Sequence, residues 1–183
     1  LHLDNLIAEE VPLSIKLPSG AQLRGRCDGL LADPETGEIR LLEIKTMNPY
    51  SYGSWTRSGE LEDAYYYQMQ LYMHALRQEV AVEPPLSTCV YVGIDKGSSE
   101  WHARLYDYEP AAVPPLLEAL DAVVRAESPE EVARHHAPDS RGELPWQCIY
   151  CDFWRHCWPE AEPYEVGGKP KLRVPIDSKS NQQ

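Results

Sequence analysis

The sequence lacks any apolar run approaching the roughly 20 residues that a membrane-spanning helix requires. Its first residues, Leu1 to Ala8, also lack the basic flank and the small-residue cleavage site of a secretion signal. An initiator methionine is absent too, so we expect a further segment to precede Leu1. Together these absences predict a soluble, cytoplasmic protein with no membrane partner.

Basic residues are scarce in this chain. There are 17 Lys and Arg against 29 Asp and Glu, which gives a net charge of −12. Such a charge repels polyanions at long range, and this argues against nucleic-acid binding. It does not exclude it, because a local basic lining can hold phosphates while the outer surface stays acidic. The length of 183 residues and the 43% hydrophobic content predict one globular domain with a real core.

The five cysteines are an odd number, and three of them lie within ten residues. This distribution does not resemble a disulfide framework. Cys148, Cys151 and Cys157 are spaced so that their thiolates can converge on a soft metal, and the spacing serves no obvious packing purpose. The sequence therefore predicts a metal site in a reducing compartment, and the spacing alone leaves iron-sulfur and zinc open.

The pattern of apolar residues predicts an α/β fold. Val11, Leu13 and Ile15 alternate with other residues, as expected for a strand with one buried face. The segment 47–60 is polar and aromatic and contains Pro49, Gly53 and Gly59, so we interpret it as a long loop. The tail 166–183 is expected to be irregular or disordered. Strands are expected at 10–16, 22–31, 39–46, 88–94 and 101–106, with the first three in an antiparallel meander, and helices at 61–77, at 110–126 and from Ser128 onward.

Two carboxylates and a lysine fall on neighbouring predicted strands. Asp28 is on the second strand, and Glu43 and Lys45 share one face of the third. Buried carboxylates that converge cost several kcal/mol unless a cation neutralises them, and Mg²⁺ or Mn²⁺ accepts such oxygen ligands. The backbone carbonyl of Ile44 can supply a further ligand. The alternative is that all three side chains are ordinary charges on a solvated strand face, and spacing alone does not decide between them.

Three motifs follow one another along the chain in the order typical of a known protein family. Gly25-x-x-Asp28, Glu43-x-Lys45 and Gln68-x-x-x-Tyr72 closely resemble the motifs of the RecB-like branch of PD-(D/E)XK nucleases, over roughly Glu9 to Trp158. The resemblance implies a restriction-endonuclease-like core, in which a central mixed β-sheet is flanked by helices. It also implies that Gln68 and Tyr72, which share a helical face, contact DNA or position the metal.

The same resemblance extends the predicted site and its function. Glu10 or Glu9 matches the first acidic position of that branch, and an upstream histidine ligand is expected before Leu1. The implied protein is a Mg²⁺- or Mn²⁺-dependent exonuclease on single-stranded DNA or duplex ends, encoded by a bacterium or phage. Its partners would be recombination or CRISPR adaptation proteins. The nuclease domain would span residues 1–165.

Two alternatives stay open at this point. One is a catalytically silent, nuclease-like DNA-binding module. The other is a zinc-bearing protein-interaction module, which the acidic charge would suit. The presence of Asp28, Glu43 and Lys45 together argues against the first, because a degenerate domain has no need of all three.

The cysteine segment also resembles part of this branch. In CRISPR-associated adaptation exonucleases and AddB-type nuclease domains, three C-terminal cysteines and one upstream cysteine bind a [4Fe-4S] cluster. Here the resemblance assigns Cys148, Cys151 and Cys157 to that role, and the fourth ligand is expected upstream of Leu1. Cys27 and Cys89 are interpreted as ordinary buried thiols. The alternatives are a zinc site that uses His156 or another nearby histidine, and no metal at all. The tryptophans near the cysteines are expected to shield the metal: Trp146, Trp154 and Trp158.

Overall fold

The computed structural model of the chain describes residues 4–79, 85–132, 134 and 136–175. The chain forms two compact units, Leu1–Val124 and Arg125–Gln183. Within the described residues, no helix is long and apolar enough to cross a membrane. The sequence predicts one domain over residues 1–165, whereas the boundary between the two units falls between Val124 and Arg125.

The first unit is built on a five-stranded sheet. Its strands lie side by side in chain order, antiparallel except for the parallel pair β3 and β4. The predicted mixed sheet and the antiparallel meander of the first three strands are therefore confirmed. The strands are β1 Leu6–Lys16, β2 Gln22–Ala32, β3 Ile39–Met47, β4 Thr88–Asp95 and β5 Trp101–Asp107.

Two helices, α1 and α2, form the crossover between the parallel strands. The loop predicted for 47–60 is wrong, because α1 spans Pro49–Ser58. Asn48 caps this helix by accepting the Ser51 N–H, Pro49 stands at its first position, and Gly59 ends it in the left-handed conformation. Proline and glycine thus mark the ends of a short helix here. Helix α2 is Asp63–Glu79, and α3, Val113–Arg125, follows a 3₁₀ turn at Pro110–Ala112.

The main core of the first unit lies between one sheet face and these helices. Met69 and Met73 of α2 pack there with Leu41 and Tyr91 of the sheet. The buried amide of Gln70 fixes α2 to the chain after β5: it donates to the Asp107 carbonyl at 2.9 Å and accepts the Glu109 N–H at 2.8 Å. The opposite sheet face carries a smaller cluster of strand residues: Leu6, Leu31, Leu42, Ile44, Val90, Val92 and Ile94.

The second unit is small and has its own core, formed by Leu144, Cys148, Trp158, Ala161 and Leu172. The irregular tail predicted from residue 166 is wrong for Lys169–Arg173, which forms strand β7. Strand β7 pairs with β6, Glu162–Val166, and the buried side chain of Leu172 holds this hairpin to the core. Residues 176–183 lie outside the described residues. The remaining elements are a 3₁₀ turn at Pro129–Glu131, α4 Trp146–Ile149 and α5 Trp154–Cys157.

Candidate active site

Asp28 lies where strands β2 and β3 stop pairing. The ladder runs from Ala32–Ile39 to Gly29–Leu42. Beyond it, the Ile44 N–H donates to Asp28 Oδ2 at 2.6 Å. The N–H and C=O of a strand residue point to the same side, so the Ile44 carbonyl also points into the gap beside Asp28. The structure thus brings together two of the groups expected to hold a metal.

Glu43 is buried beside this gap, and only 2% of its side chain is exposed. Its Oε1 pairs with Lys45 Nζ, while its buried Oε2 has no hydrogen-bond partner. Burial raises the pKa of Glu43, and the hydrogen bond and charge of Lys45 oppose that rise without cancelling it. An orphaned buried carboxylate oxygen is costly, which is the condition that a bound cation relieves.

Lys45 stays an ammonium in this setting. Burial by itself lowers its pKa, but the hydrogen bond to Glu43 and the charges of Glu43 and Asp28 outweigh burial, so the pKa is raised. The ring of Tyr65 lies under the ammonium, with Nζ 5.7 Å from its centroid. The side chain is therefore held in place at two points.

Asp28, Glu43 and the Ile44 carbonyl form a donor set that fits Mg²⁺ or Mn²⁺. All three donors are oxygens, and such ions take one or two carboxylates while keeping waters and substrate oxygens. In the part of the chain that the structure describes, no group of three or more His, Cys, Asp or Glu side chains could hold a metal. Among the described residues, the donors at this place are therefore two carboxylates and one backbone carbonyl.

Gln68 and Tyr72 of α2 lie at the same place. Gln68 Nε2 donates to Tyr72 Oη at 2.9 Å, and Tyr72 lies near enough to Lys45 to influence the pKa of its ammonium. Tyr65, Gln68 and Tyr72 follow at intervals of three and four residues, so they share one helical face. This spacing is the sequence signal that predicts a place for Tyr65 beside the site, where its ring contacts Lys45.

Gly25 leaves the space that Tyr72 fills. A Cβ atom at Gly25 would lie 2.9 Å from Tyr72 Cε1 and 3.3 Å from its hydroxyl. These distances are too short for carbon against an aromatic ring held by its neighbours. The glycine of the first motif and the tyrosine of the third therefore fit each other sterically.

Replacing Gly25 by alanine is expected to push the Tyr72 ring away from Lys45. We expect kcat/KM for DNA cleavage to fall by about 10²-fold, because a displacement of about 1 Å in a catalytic arrangement has such an effect. Gly53→Ala is the matched control, since a Cβ there meets only the flexible end of Arg57. Steady-state cleavage assays would contradict the steric role if both variants kept wild-type rates.

Glu10 is level with Asp28 on strand β1, between the partners of Gly29 and Cys27. Its backbone has φ 52°, which is uncommon for a residue other than glycine. Its carboxylate pairs with Arg26 Nε at 2.6 Å, and both side chains are more than half exposed. The structure thus brings Glu10 to the right level of the sheet but pairs its carboxylate with Arg26.

The three C-terminal cysteines all lie in the second unit, but among the described residues they do not form a group that could hold a metal ion. Burial raises the pKa of the Cys148 thiol, and the nearby Cys151 and Cys157 add to that rise. Cys148 is buried, Cys151 is half-buried and Cys157 is exposed. Trp158 is buried and Trp154 packs against the same core, whereas Trp146 is 59% exposed and does not shield the site.

Cys27 and Cys89 are fully buried in the core of the first unit, as the sequence analysis expected. Burial first, and then the charge of Glu43, raises the pKa of Cys27 to about 11. The same causes raise that of Cys89 well above its ordinary value. Both remain protonated thiols at neutral pH, which is the wrong state for a metal ligand.

A mixed sheet that presents two carboxylates and a lysine together is consistent with the restriction-endonuclease-like class of folds. A family model for the PD-(D/E)XK nuclease superfamily matches residues 4–158. The matched residues are most of the chain, so the protein belongs to the PD-(D/E)XK nuclease superfamily. A search of curated proteins finds no match.

Proposed function

We propose that this protein is a DNA nuclease that hydrolyses phosphodiester bonds with Mg²⁺ or Mn²⁺ held by Asp28, Glu43 and the Ile44 carbonyl. One observation carries the proposal: the buried Glu43 carboxylate has an oxygen without a hydrogen-bond partner, and it lies close enough to Asp28 for that charge to raise the pKa of Glu43. The superfamily membership supports DNA as the substrate.

The residues of the candidate site have separate roles in the proposed reaction. When bound, the metal polarises the phosphate and lowers the pKa of an attacking water. Lys45, held by Glu43 and Tyr65, places its ammonium where it can donate to the phosphate or orient the water. Tyr72 and Gln68 border that position as one hydrogen-bonded pair. Glu10 would join the ligands once its carboxylate leaves Arg26.

The finer assignment is an exonuclease on single-stranded DNA or duplex ends. It is supported by the order of the RecB-like motifs Gly25-x-x-Asp28, Glu43-x-Lys45 and Gln68-x-x-x-Tyr72. Such an enzyme would serve recombination, repair, phage replication or CRISPR adaptation, together with the proteins of those processes.

End-labelled single- and double-stranded DNA, incubated with anaerobically purified full-length protein, tests this proposal. We expect degradation with Mg²⁺ or Mn²⁺, no products with EDTA, and a ladder that starts from one end. A circular substrate without ends should stay intact if the enzyme is an exonuclease. A folded, metal-loaded preparation that cuts none of these substrates would leave a silent DNA-binding module instead.

We further propose that Cys148, Cys151 and Cys157 hold a [4Fe-4S] cluster with a fourth ligand from elsewhere. Their spacing in the sequence supports it. With its thiolates bound, the cluster would fasten the short helices α4 and α5 to each other.

Iron and acid-labile sulfide, measured beside zinc in anaerobic protein, test the cluster. We expect about four irons per chain, and loss of most of the iron in Cys151→Ser and in Cys157→Ser. Cys89→Ala removes a buried thiol of the first unit and should keep its iron. Stoichiometric zinc without sulfide would replace the cluster by a zinc site with His156 among its candidate ligands.

A further inference from the structure

Strand β5, Trp101–Asp107, forms one edge of the five-stranded sheet. Hydrogen bonds at the two ends of its ladder with β4 involve the Glu100 carbonyl and the Tyr108 N–H. Both are even-numbered residues, and backbone direction alternates along a strand. Trp101, Ala103 and Leu105 therefore point their N–H and C=O groups away from β4, toward the free edge.

The same three residues carry apolar side chains on one sheet face. Their β4 partners are Ile94, Val92 and Val90, which belong to the smaller apolar cluster. The apolar surface of this cluster therefore extends onto β5 without a charged side chain. At this edge of the sheet, Trp101 is 53% exposed and Leu105 is 56% exposed. Exposed apolar rows beside free backbone groups are typical of strands that acquire a partner.

The opposite edge, strand β1, has the features that prevent such pairing. Pro12 lies within it, Glu10 has a positive φ, and Glu9 and Lys16 add charges. Proline, local twist and charge are the common means by which an edge strand avoids another chain. Strand β5 has no proline and no such backbone irregularity. The two edges are thus unequal, and only β5 is suited to a partner.

We propose that β5 pairs antiparallel with β5 of a second copy of this chain, about a two-fold axis at Ala103. In this register Trp101 lies opposite Leu105 of the partner subunit, Ala103 opposite its equivalent, and Leu105 opposite the partner's Trp101. Each pair joins residues whose N–H and C=O groups point to each other, so each can exchange both hydrogen bonds. The apolar row becomes continuous across a ten-stranded sheet.

The chemistry of β5 selects this register. In a two-fold antiparallel pairing, the outward-pointing residues of β5 meet the same residues in reverse order, so the two orders must be compatible. The pattern Trp-x-Ala-x-Leu meets this condition, because only apolar side chains face each other. Moving the axis to Arg104 would set two guanidinium groups against each other and put Trp101 opposite Asp107 of the partner subunit. A like-charge cross-strand pair is destabilising. An axis between two residues would place the outward N–H and C=O groups of one β5 opposite residues whose own N–H and C=O groups already bond to β4.

Sedimentation of the metal-free protein over a range of concentrations tests the association without DNA. We expect a monomer–dimer equilibrium that Leu105→Lys weakens by at least tenfold, because it sets two charges within the apolar row. Ile7→Lys is the matched control: Ile7 is 54% exposed on β1, and the change adds the same charge at the other edge. It should leave the dissociation constant unchanged.

Residue-resolved amide exchange identifies the interface. At concentrations where the dimer forms, the amides of Trp101, Ala103 and Leu105 should become protected, while those of His102 and Arg104 are protected at every concentration. Ala103→Pro removes an outward donor without breaking a bond to β4 and should abolish the protection and the dimer.

Three results would overturn the proposal. One is a protein that stays monomeric at all concentrations. Another is a dimer that survives Ala103→Pro with a properly folded sheet. The last is a monomer whose β5 amides become protected only when a different protein is added. Nuclease activity enters none of these measurements, so they separate the failure of this proposal from the failure of the catalytic one.

Discussion

Replacing Glu43 by glutamine is expected to lower metal-dependent DNA cleavage by about 10³-fold. The substitution keeps the size of the side chain but removes a charge from the proposed metal ligands, Asp28, Glu43 and the Ile44 carbonyl. A bound metal contributes several kcal/mol of charge stabilisation to the transition state, and each loss of about 1.4 kcal/mol is a factor of ten in rate. Single-turnover cleavage at saturating Mn²⁺ measures the loss.

Glu43→Gln should keep its fold and should lose the pH dependence of folding stability that Glu43 causes. Burial raises the pKa of Glu43 despite the opposing Lys45, so the folded protein binds this proton more tightly than the unfolded chain does. Ionising Glu43 therefore costs stability, and that cost appears as the pH rises through the unfolded and then the folded pKa. In EDTA, the wild type should lose stability relative to Glu43→Gln from acidic to neutral pH.

Metal binding separates the catalytic effect from a structural one. A ligand that binds only the folded state raises the unfolding midpoint, so Mn²⁺ should stabilise the wild type and not Glu43→Gln. Glu35→Gln removes the same charge from an exposed turn and should change neither cleavage nor the Mn²⁺ effect. Retention of wild-type cleavage by Glu43→Gln would remove Glu43 from the site.

The motifs of the site could be predicted from the sequence because each is local. Glu43 and Lys45 share a strand face by their spacing, and Gln68 and Tyr72 share a helical face. What spacing could not supply are contacts between elements. The fit of Gly25 to Tyr72 and the bond from the Ile44 N–H to Asp28 depend on how β2 separates from β3 and how α2 crosses the sheet.

Helix α1 shows where composition was misleading. Proline, glycine and polar residues in 47–60 are typical of loops, but Asn48, Pro49 and Gly59 stand at the ends of a ten-residue helix, and Gly53 lies within it. Tertiary packing decides the outcome, since the single buried residue of α1 is Trp55. Strand β7 is a similar case: Lys169–Arg173 is polar by composition, and one buried side chain, Leu172, holds it in place.

Trp55→Ala is expected to destabilise the protein by about 3–5 kcal/mol, the usual cost of emptying the site of a large buried aromatic. The indole is 3% exposed and packs edge-on against Tyr91, with ring centroids 5.4 Å apart. Its Nε1 donates to Tyr106 Oη at 2.6 Å, which connects α1 to strand β5. Chemical denaturation in EDTA gives the free energy of unfolding.

The glycine beneath the ring makes this prediction sharper. A Cβ at Gly93 would lie 2.5 Å from Trp55 Cζ3, so Gly93→Ala should also be strongly destabilising. In Trp55→Ala/Gly93→Ala the added methyl group enters the space left by the indole, and the two losses should sum to less than their separate values. Tyr50→Ala, on the same helix at 84% exposure, is the control and should stay within about 0.5 kcal/mol of wild type. Additive losses would show that Gly93 and Trp55 do not share this space, whereas a stable Trp55→Ala would show that α1 is not held to the sheet by its one buried residue.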